Sequence, residues 1–286
     1  MDIKTVGVVG AGTMGNGIAQ VSSQMGCNVI LRDIEERFVK GGLDKIEGNL
    51  SQALRKGKIT EVSKNEIMSR IKGTTKMEDL KDADFVIEAV IEDIELKKKV
   101  FGELDEICRP GVILATNTSS MSITEIAAAT SRPDRVTGMH FFNPVPVMRL
   151  VEVIRGYATS DDTVEITTEV AQKMGKVTIE VKKDTPGFVV NRILMPHLIE
   201  AINIVEQGIA SIEDVDKAVK NGLNYPMGPF ELMDLTGIDV NYFVAEYFYK
   251  ELNKESKWVS PNLLKSMVRA GRYGRKAGKG WYDYKK

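Results

Sequence analysis

The opening segment of the chain joins a short apolar run to a cluster of glycines. Apolar residues 6–9 pass directly into Gly10, Gly12 and Gly15, which have the spacing G-x-G-x-x-G, and residues 18–21 place apolar side chains at helical intervals. In such a strand, turn and helix, the first glycine permits the turn, the second lets the backbone approach a pyrophosphate, and the third lets the helix pack on the strand. The helix N terminus adds N–H donors and a positive dipole end. The segment predicts a dinucleotide-binding fold.

The residue that would bind the ribose lies at the end of a second apolar run. Residues 29–31 lead to Asp33, at about the 20-residue spacing expected for an acid that binds the ribose 2′-hydroxyl of NAD. A glycine turn with an incidental aspartate is the alternative, but strand, glycines, helix, strand and acid all stand in order. The Asp33 carboxylate would repel the 2′-phosphate of NADP, which favours NAD. The adjacent Arg32 would favour NADP, so this choice stays open.

Composition excludes several other classes of protein. The net charge of −1 gives no electrostatic reason to expect nucleic acid or an anionic membrane as a partner. The sequence has no apolar run of about 18 residues that could span a bilayer. The first predicted strand begins a few residues after Met1, so we expect no signal or transit peptide. Cys27 and Cys108 are expected to be reduced thiols in a cytoplasmic protein, and no Cys/His cluster suggests a metal.

Strands and helices alternate up to about residue 181. Dense runs of apolar residues are typical of strands in a mostly parallel sheet, and amphipathic stretches between them predict helices. The predicted strands are 83–90, 112–115, 135–142, 150–154 and 177–181, and the later helices are 93–107, 123–129 and 162–174. Residues 35–72 predict a helical hairpin, with its second helix at 63–71. The basic turn 55–58 would bind a phosphorylated ligand or form a solvated charged face, and both interpretations remain open.

The pattern changes at residues 184–187, where strands end. We expect two domains: an NAD-binding Rossmann domain at 1–185 and an all-helical substrate and dimerisation domain at 186–286. The predicted helices are 188–207, with a kink or break at Pro196, and then 211–221, 228–250 and 260–270. The first of these is too apolar for a small domain to cover alone. Part of it is therefore expected in a subunit interface.

The sequence contains two histidines, and His140 is the stronger catalytic candidate. It ends a predicted strand at the edge of the sheet where ligands bind in α/β proteins, and Glu152 follows on the next strand. A carboxylate that accepts a hydrogen bond from one imidazole nitrogen fixes the tautomer and makes the other nitrogen a better base. Oxidation of an alcohol by NAD needs such a base. A structural role for His140 has similar weight, and His197 is interpreted as a packed or interface residue.

Polar residues at the next strand end are further candidates. Asn117 and Ser119 would hydrogen-bond the nicotinamide ribose or a substrate oxygen, and a helix-capping loop is the equally weighted alternative. Asn191 is a polar residue in the apolar segment 188–207, and its neighbour Arg192 could simply pair at the surface.

Several long motifs together resemble the 3-hydroxyacyl-CoA dehydrogenase family, most closely its short bacterial members that act on 3-hydroxybutyryl-CoA. The resemblance covers essentially the whole chain. Its motifs are Gly-Ala-Gly-Thr-Met-Gly at 10–15, Thr-Asn-Thr-Ser-Ser at 116–120, Gly-Met-His-Phe-Phe-Asn-Pro-Val-Pro at 138–146, Pro-Gly-Phe-Val-Val-Asn-Arg at 186–192, Tyr-Pro-Met-Gly-Pro at 225–229 and Gly-Lys-Gly-Trp-Tyr at 278–282.

The resemblance implies an activity and a set of site residues. It implies NAD-dependent interconversion of (S)-3-hydroxybutyryl-CoA and acetoacetyl-CoA, within fatty acid and butanoate metabolism, with His140 as general base, Glu152 as its orienting partner, and Ser119 and Asn191 holding the C3 oxygen. The implied NAD contacts are Gly10, Gly12, Thr13, Met14, Gly15, Asp33, Glu92, Lys97, Asn117, Ser119, Asn143 and Lys276. Ser51, Lys56 and Lys58 match the CoA-binding region. The resemblance also implies a homodimer formed through the helical domain.

Two other functions are alternatives. A non-catalytic NAD-binding protein could share the fold, but a binding module would need no base. A related dehydrogenase acting on a free β-hydroxy acid would rely on a catalytic lysine in the helical domain, and none is obvious in the sequence.

Overall fold

We analysed a computed structural model of the chain, which describes residues 2–284. The chain forms two compact units, Met1–Thr185 and Pro186–Lys286, which are described separately below as the first and second unit.

The first unit is built on one sheet. Within residues 2–284 the sheet has eight strands, in the order β3-β2-β1-β4-β5-β6-β7-β8. The strands are β1 (Thr5–Val9), β2 (Asn28–Arg32), β3 (Ile71–Thr74), β4 (Phe85–Glu88), β5 (Ile113–Thr116), β6 (Val136–Phe141), β7 (Leu150–Arg155) and β8 (Val177–Val181). All neighbours pair in parallel except β6 and β7, which are antiparallel. The expected mostly parallel α/β fold is confirmed.

Helices connect these strands. They are α1 (Thr13–Gln24), α2 (Glu36–Arg55), α3 (Glu61–Ser69), α4 (Ile94–Ile107), α5 (Ile123–Ala127) and α6 (Asp161–Lys173), with 3₁₀ turns at Met77–Asp82 and Pro133–Arg135. Side-chain caps define several of their starts: Asp93 accepts from the Leu96 N–H at 2.9 Å, and Ser160 accepts from the Thr163 N–H at 3.2 Å. The central strands β1, β4 and β5 are buried on both faces, as a sheet covered by connecting helices requires.

The strand order reverses beside β1, and this determines where a ligand can bind. β1 pairs with β2 on one side and with β4 on the other. The connections that leave β1 and β4 therefore run in opposite directions, and a crevice opens at the carboxyl ends of the two strands. The glycine segment after β1 and the polar segments after β4 and β5 all reach this edge.

β3 was not expected from the sequence. The predicted helix 63–71 ends at Ser69, and Ile71–Thr74 forms the outermost strand. An edge strand is buried on only one side, so it does not need a continuous apolar run. Lys72 and Gly73 interrupt the run in β3, which is why the apolar pattern did not reveal this strand. Gly73 lies so close to Val39 that a Cβ atom would collide with the Val39 side chain.

The second unit is helical. Its α-helices are α7 (Val190–Glu206), α8 (Ile212–Gly222), α9 (Pro229–Thr236), α10 (Ile238–Glu251) and α11 (Asn262–Arg269), with 3₁₀ turns at Ser256–Trp258 and Arg275–Ala277. α7 continues across Pro196, so the helix is not broken there. The predicted single helix 228–250 is wrong, because Gly237, with a φ of 105°, ends α9 before α10 begins. None of the helices described is long and apolar enough to cross a membrane.

Two buried aspartates fasten the segment 281–284 to the helices of this unit. Asp216 accepts hydrogen bonds from the Phe230 N–H at 2.9 Å and the Tyr282 hydroxyl at 2.7 Å. Asp234 accepts from the N–H of Trp281 at 2.9 Å and from the Tyr284 hydroxyl at 2.8 Å. Burial raises the pKa of Asp216, and burial together with the hydrogen bond to Asp216 raises the pKa of Tyr282.

Candidate active site

The glycine segment forms a tight turn between β1 and α1. Gly10 has a φ of 100°, and a Cβ atom there would approach the carbonyl oxygen of Ala89 to 2.6 Å. A Cβ atom on Gly15 would collide with the Gly10 carbonyl, whereas Gly12 has open space beside it. Within the described chain, no side chain caps α1 and no acidic residue lies in its first turn, which contains Thr13 and Met14. The N–H groups of this turn suit a pyrophosphate.

Asp33 lies at the carboxyl end of β2 and is held in place by the backbone. Its Oδ2 accepts a hydrogen bond from the Ala11 N–H at 2.7 Å, and its Oδ1 accepts from the Ile34 N–H at 2.7 Å. Arg32 donates its Nε–H to the Thr75 carbonyl at 3.3 Å, and its side chain also lines the cleft beside Asp33. Asp33 thus presents a fixed carboxylate where a ribose hydroxyl would bind.

A cleft of about 520 Å³ opens beside this carboxylate, within the first unit. Gly10, Gly12 and Asp33 form one side, and Ile34, Phe38, Val90 and Ile91 are among the apolar residues of its walls. Ile34 and Ile91 are 66% and 73% exposed, unusual for isoleucine. The apolar walls suit the faces of a flat aromatic ring, and Asp33 and the glycine segment suit a ribose and a pyrophosphate, so the residues present suit the adenosine half of NAD.

A buried ion pair lies between β4 and α4. Lys97 and Glu88 have side chains that are 1% and 0% exposed, and the Lys97 ammonium lies 2.8 Å from Glu88 Oε1. Thr116 donates its hydroxyl to Glu88 Oε2 at 2.6 Å. Sequence reasoning named Lys97 but missed Glu88; the available signal was an acidic residue at the end of an otherwise apolar strand.

Glu92 connects this pair to the segment after β5. Its Oε2 lies 3.4 Å from the Lys97 ammonium, and its Oε1 accepts hydrogen bonds from the Ser119 N–H at 2.7 Å and the Ser119 hydroxyl at 3.1 Å. Thr118 donates to the same oxygen at 3.2 Å. Ser119 is therefore oriented by a carboxylate at the edge of the sheet.

His140 and Glu152 form a buried pair on adjacent strands. The distance from His140 Nδ1 to Glu152 Oε2 is 2.7 Å, and the two side chains are 6% and 0% exposed. Because an ionised carboxylate only accepts hydrogen bonds, the proton in this contact belongs to Nδ1, and Nε2 is the basic nitrogen of the neutral ring. The Phe142 ring lies 4.5 Å from the imidazole. This geometry can exchange a proton with a ligand oxygen.

The neighbouring polar residues differ in their surroundings. Asn117 is buried, and its Oδ1 accepts from the Phe141 N–H at 2.9 Å, which ties the end of β5 to the end of β6. Asn143 is exposed in the turn after β6. Lys176, missed by sequence reasoning, stabilises that turn by donating to the Met148 carbonyl at 2.8 Å. Burial lowers the pKa of Lys176.

The residues matched to CoA binding lie on the α2–α3 hairpin. Ser51 is half-buried on α2, and Lys56 and Lys58 are exposed in the turn that follows it. In the second unit, Asn191 is half-buried near the start of α7, and Lys276 lies 2.7 Å from Asp239. The His197 ring packs 5.7 Å from the Tyr225 ring. Within residues 2–284 no cluster of three or more potential metal ligands occurs.

Comparison with known proteins identifies the family. Residues 5–185 match the sequence profile described as the 3-hydroxyacyl-CoA dehydrogenase NAD binding domain, and residues 187–284 match that of the 3-hydroxyacyl-CoA dehydrogenase C-terminal domain. The chain belongs to the 3-hydroxyacyl-CoA dehydrogenase family. The enzyme is therefore an oxidoreductase that carries out NAD-dependent dehydrogenation of 3-hydroxyacyl-CoA, and the expected family, enzyme class and cofactor are confirmed.

Individual relatives match over the whole chain. A 3-hydroxybutyryl-CoA dehydrogenase from Clostridioides difficile is 48% identical over 98% of this chain and 99% of its own length. A 3-hydroxyadipyl-CoA dehydrogenase from Escherichia coli is 41% identical over 100% of this chain and 60% of its own length. The crystal structure of (S)-3-hydroxybutyryl-CoA dehydrogenase from Ralstonia eutropha superposes with a TM-score of 0.97 at 48% identity, covering 100% of both chains.

Proposed function

We propose that the enzyme interconverts (S)-3-hydroxybutyryl-CoA and acetoacetyl-CoA, with His140 and Glu152 as its acid/base pair. The observation that carries this proposal is the buried 2.7 Å contact between His140 Nδ1 and Glu152 Oε2. The substrate is supported by the names of the relatives from Clostridioides difficile and Ralstonia eutropha, which match this chain from end to end. Such an activity would belong to fatty acid and butanoate metabolism.

In the oxidising direction, His140 Nε2 removes the proton of the C3 hydroxyl. Glu152 holds the ring by its Nδ1–H and stabilises the imidazolium that forms. Bound NAD supplies the hydride acceptor, and NADH the hydride donor in reverse. In the reducing direction, the protonated His140 donates its proton to the C3 oxygen of acetoacetyl-CoA. By the family resemblance, Ser119 and Asn191 are proposed to hold that oxygen. The single hydroxyl proton of Ser119 is donated to Glu92 in this structure, so donation to the substrate would require the hydroxyl to turn from Glu92 to the substrate oxygen.

The cofactor and the CoA moiety have proposed sites of their own. NAD is proposed to use the glycine segment and Asp33, together with the remaining contacts that the resemblance implies: Glu92, Lys97, Asn117, Ser119, Asn143 and Lys276. Lys97 is only 1% exposed, so its effect on the cofactor would be exerted mainly through its neighbours. The exposed lysines Lys56 and Lys58, together with Ser51, are proposed to bind the phosphates of CoA. Cations on an open turn suit that role.

Two further properties are proposed for the enzyme. We propose a homodimer formed through the second unit, where Ile193, Leu235 and Phe243 are 70%, 51% and 63% exposed. Sedimentation should then give twice the mass of the 31.7 kDa chain. A cytoplasmic location is proposed because Cys27 and Cys108 are both buried free thiols.

A spectrophotometric assay tests the proposed activity. Purified enzyme is mixed with acetoacetyl-CoA and NADH while nicotinamide absorbance is followed, and the reverse reaction is run separately with (S)- and (R)-3-hydroxybutyryl-CoA. We expect turnover in both directions and a strong preference for the S isomer. Binding of NADH without turnover would support a non-catalytic NAD-binding protein. Activity with free 3-hydroxy acids but not with thioesters would support a free-acid dehydrogenase.

A further inference from the structure

Glu88 is an acidic residue at the carboxyl end of a core strand. The other residues of β4, Phe85, Val86 and Ile87, are apolar and fully buried, and Glu88 is 0% exposed as well. A carboxylate in such a place is unfavourable unless it is paired and hydrogen-bonded. A purely apolar residue would complete the core more simply, so the partners of Glu88 indicate what it does.

Both carboxylate oxygens of Glu88 bind groups from different chain segments. Oε1 accepts from the Val90 N–H at 2.6 Å and from the Lys97 ammonium on α4 at 2.8 Å. Oε2 accepts from the Thr116 hydroxyl at the end of β5 at 2.6 Å. The Glu88 backbone carbonyl accepts from the Asn117 N–H at 2.8 Å. Glu88 therefore joins β4, α4 and β5 at the edge of the sheet where ligands bind.

Lys97 extends these contacts to the residues beside the cleft. Besides Glu88, its ammonium donates to the Val90 carbonyl at 3.3 Å and lies 3.4 Å from Glu92. Glu92 in turn accepts from both the N–H and the hydroxyl of Ser119. A continuous series of contacts thus runs from the buried Glu88 to Ser119.

The segment between Glu88 and Glu92, which we call the 89–92 turn, borders the cofactor cleft. Ala89, Val90 and Ile91 line that cleft. The turn lies so close to the glycine segment that a Cβ atom on Gly10 would approach the Ala89 carbonyl to 2.6 Å. A shift of this turn would change the width of the cleft, and the N–H and C=O of Val90 are both bound by the Glu88–Lys97 pair.

We propose that Glu88 is a positioning residue for cofactor binding: with Lys97 it fixes the 89–92 turn against the glycine segment, and through Lys97 it orients Glu92 toward Ser119. This inference rests on the proposed function in one respect, the use of this cleft by NAD. The alternative is a structural role, in which the pair stabilises the fold without affecting ligand affinity.

The first test is the isosteric variant Glu88→Gln, which removes the negative charge beside Lys97. The Kd of NADH, measured from its fluorescence on binding to the folded variant, is expected to rise about 10-fold. At saturating NADH, the KM for acetoacetyl-CoA is expected to change less than the Kd of NADH, because the hairpin lysines proposed to bind CoA are untouched. An unchanged Kd would overturn the proposal.

A double-mutant cycle tests whether Glu88 acts through Lys97. Lys97→Met and the double variant Glu88→Gln/Lys97→Met are compared with Glu88→Gln. If the two residues act as one unit, the double variant binds NADH as Lys97→Met does, within about 2-fold. It should also unfold at a higher temperature than Glu88→Gln, because it no longer buries an ammonium that has lost its shortest carboxylate contact. A Kd for the double variant that equals the product of the two single effects would refute action through Lys97.

A milder variant keeps the test decisive if Glu88→Gln does not fold. Thr116→Val removes the hydrogen bond to Glu88, and also the longer one of 3.3 Å that the Thr116 hydroxyl accepts from the Thr118 N–H, with little change of shape. A rise of about 3-fold in the Kd of NADH is expected. Wild-type affinity in this variant would contradict the proposal in the same way.

Asp84→Asn is the matched control. Asp84 precedes the same strand at its opposite end, where it pairs with Arg109 at 2.7 Å and accepts from the N–H groups of Lys4 and Thr5. This variant is expected to lower the melting temperature and leave the Kd of NADH unchanged. If it weakens NADH binding as much as Glu88→Gln, the effect is general destabilisation and the proposal fails. Failure of the wild type to turn over acetoacetyl-CoA would refute the proposed function alone, because NADH affinities are measured without substrate.

Discussion

His140 and Glu152 are directly opposite each other on β6 and β7, the one antiparallel pair among the described strands of the sheet. Their neighbours Met139 and Val153, and Phe141 and Val151, are paired in the same register. Side chains alternate between the two faces of a strand, so a slip of one residue would move Glu152 to the other face. The 2.7 Å contact is therefore fixed by backbone pairing rather than by a flexible loop.

Replacing either member of this pair should abolish most turnover without changing the affinity of the enzyme for its cofactor. General acid–base catalysis contributes about 10²–10⁴-fold, and His140→Gln is expected to lose kcat by that factor while the Kd of NADH stays within about 2-fold. Glu152→Gln should lower kcat in the same direction, because the ring loses its orienting charge. His197→Gln, at the other histidine of the chain, is the control and should keep wild-type kcat. Turnover by His140→Gln at the wild-type rate would exclude His140 as the base.

The Asp33 carboxylate should determine the choice between NAD and NADP. Asp33→Asn removes the charge that would repel a 2′-phosphate, and the ratio of kcat/KM for NADH to that for NADPH is expected to fall by at least about 10-fold. Asp44→Asn removes an exposed carboxylate that pairs with Lys40 on α2, and it should leave this ratio unchanged. A ratio that does not move in Asp33→Asn would show that another residue selects the cofactor.

The lysines of the α2–α3 turn should act on the CoA moiety. The double variant Lys56→Gln/Lys58→Gln is expected to raise the KM for acetoacetyl-CoA about 3–10-fold at low salt, with a smaller effect at high salt. The KM for acetoacetyl-pantetheine, which lacks the adenosine phosphates, should be the same in the variant and the wild type. The double variant Lys40→Gln/Lys45→Gln, at two exposed positions of α2, serves as the charge-matched control. An equal loss with both thioesters would exclude phosphate binding by this turn.

Stability should depend on pH through Asp105. Burial opposes ionisation of this carboxyl, but hydrogen bonds from Ser131 and Arg132 outweigh it and hold its pKa below the usual 3.8. A lowered pKa contributes stability above the unfolded value and loses it as pH falls through the folded value. The difference in urea unfolding free energy between wild type and Asp105→Asn should therefore be full at pH 6 and decrease below about pH 4. A difference that stays constant down to about pH 2 would contradict this.

Both cysteines should resist thiol reagents in the folded enzyme. Burial raises the pKa of the Cys108 thiol to about 11 and also raises that of Cys27. Little thiolate therefore exists at pH 8. Because the thiols of the unfolded chain ionise at a lower pH than those of the folded chain, folding stability should decrease as pH rises from about 9 toward 11. We expect no rapid labelling by dithionitrobenzoate at pH 8 and reaction of two thiols per chain in denaturant. Fast labelling of the native enzyme would refute this.

The sequence predicted the alternation of strands and helices because a parallel sheet covered by helices leaves a clear apolar pattern. The predicted helix 162–174 corresponds to α6 at Asp161–Lys173, and the predicted strand 177–181 coincides with β8. The apolar pattern was not enough to predict a strand that is buried on only one side, or a helix end that is determined by a single glycine. β3 and the division between α9 and α10 at Gly237 are the two examples.

Those parts of the site that have a clear pattern in the sequence could also be predicted. The glycine segment and Asp33 have a characteristic spacing, and His140 is one of two histidines, so each could be named from the sequence. The pairing of Glu88 with Lys97 and Thr116 depends on three segments that meet only in the folded sheet. Likewise, the contact between Arg32 and the Thr75 carbonyl joins two segments that are distant in the sequence, so it could not be predicted.

The anchoring of residues 281–284 on Asp216 and Asp234 has a consequence for biosynthesis. Trp281 contributes its ring to the core of the second unit, where it lies 4.9 Å from Phe230. During synthesis, the helices from α8 to α11 are made before residues 281–284, which donate one hydrogen bond to Asp216 and the hydrogen bonds described above to Asp234. The second unit should therefore remain incompletely folded until these last residues are available, and a purified chain that ends at Gly280 should be far more sensitive to protease than the full-length enzyme.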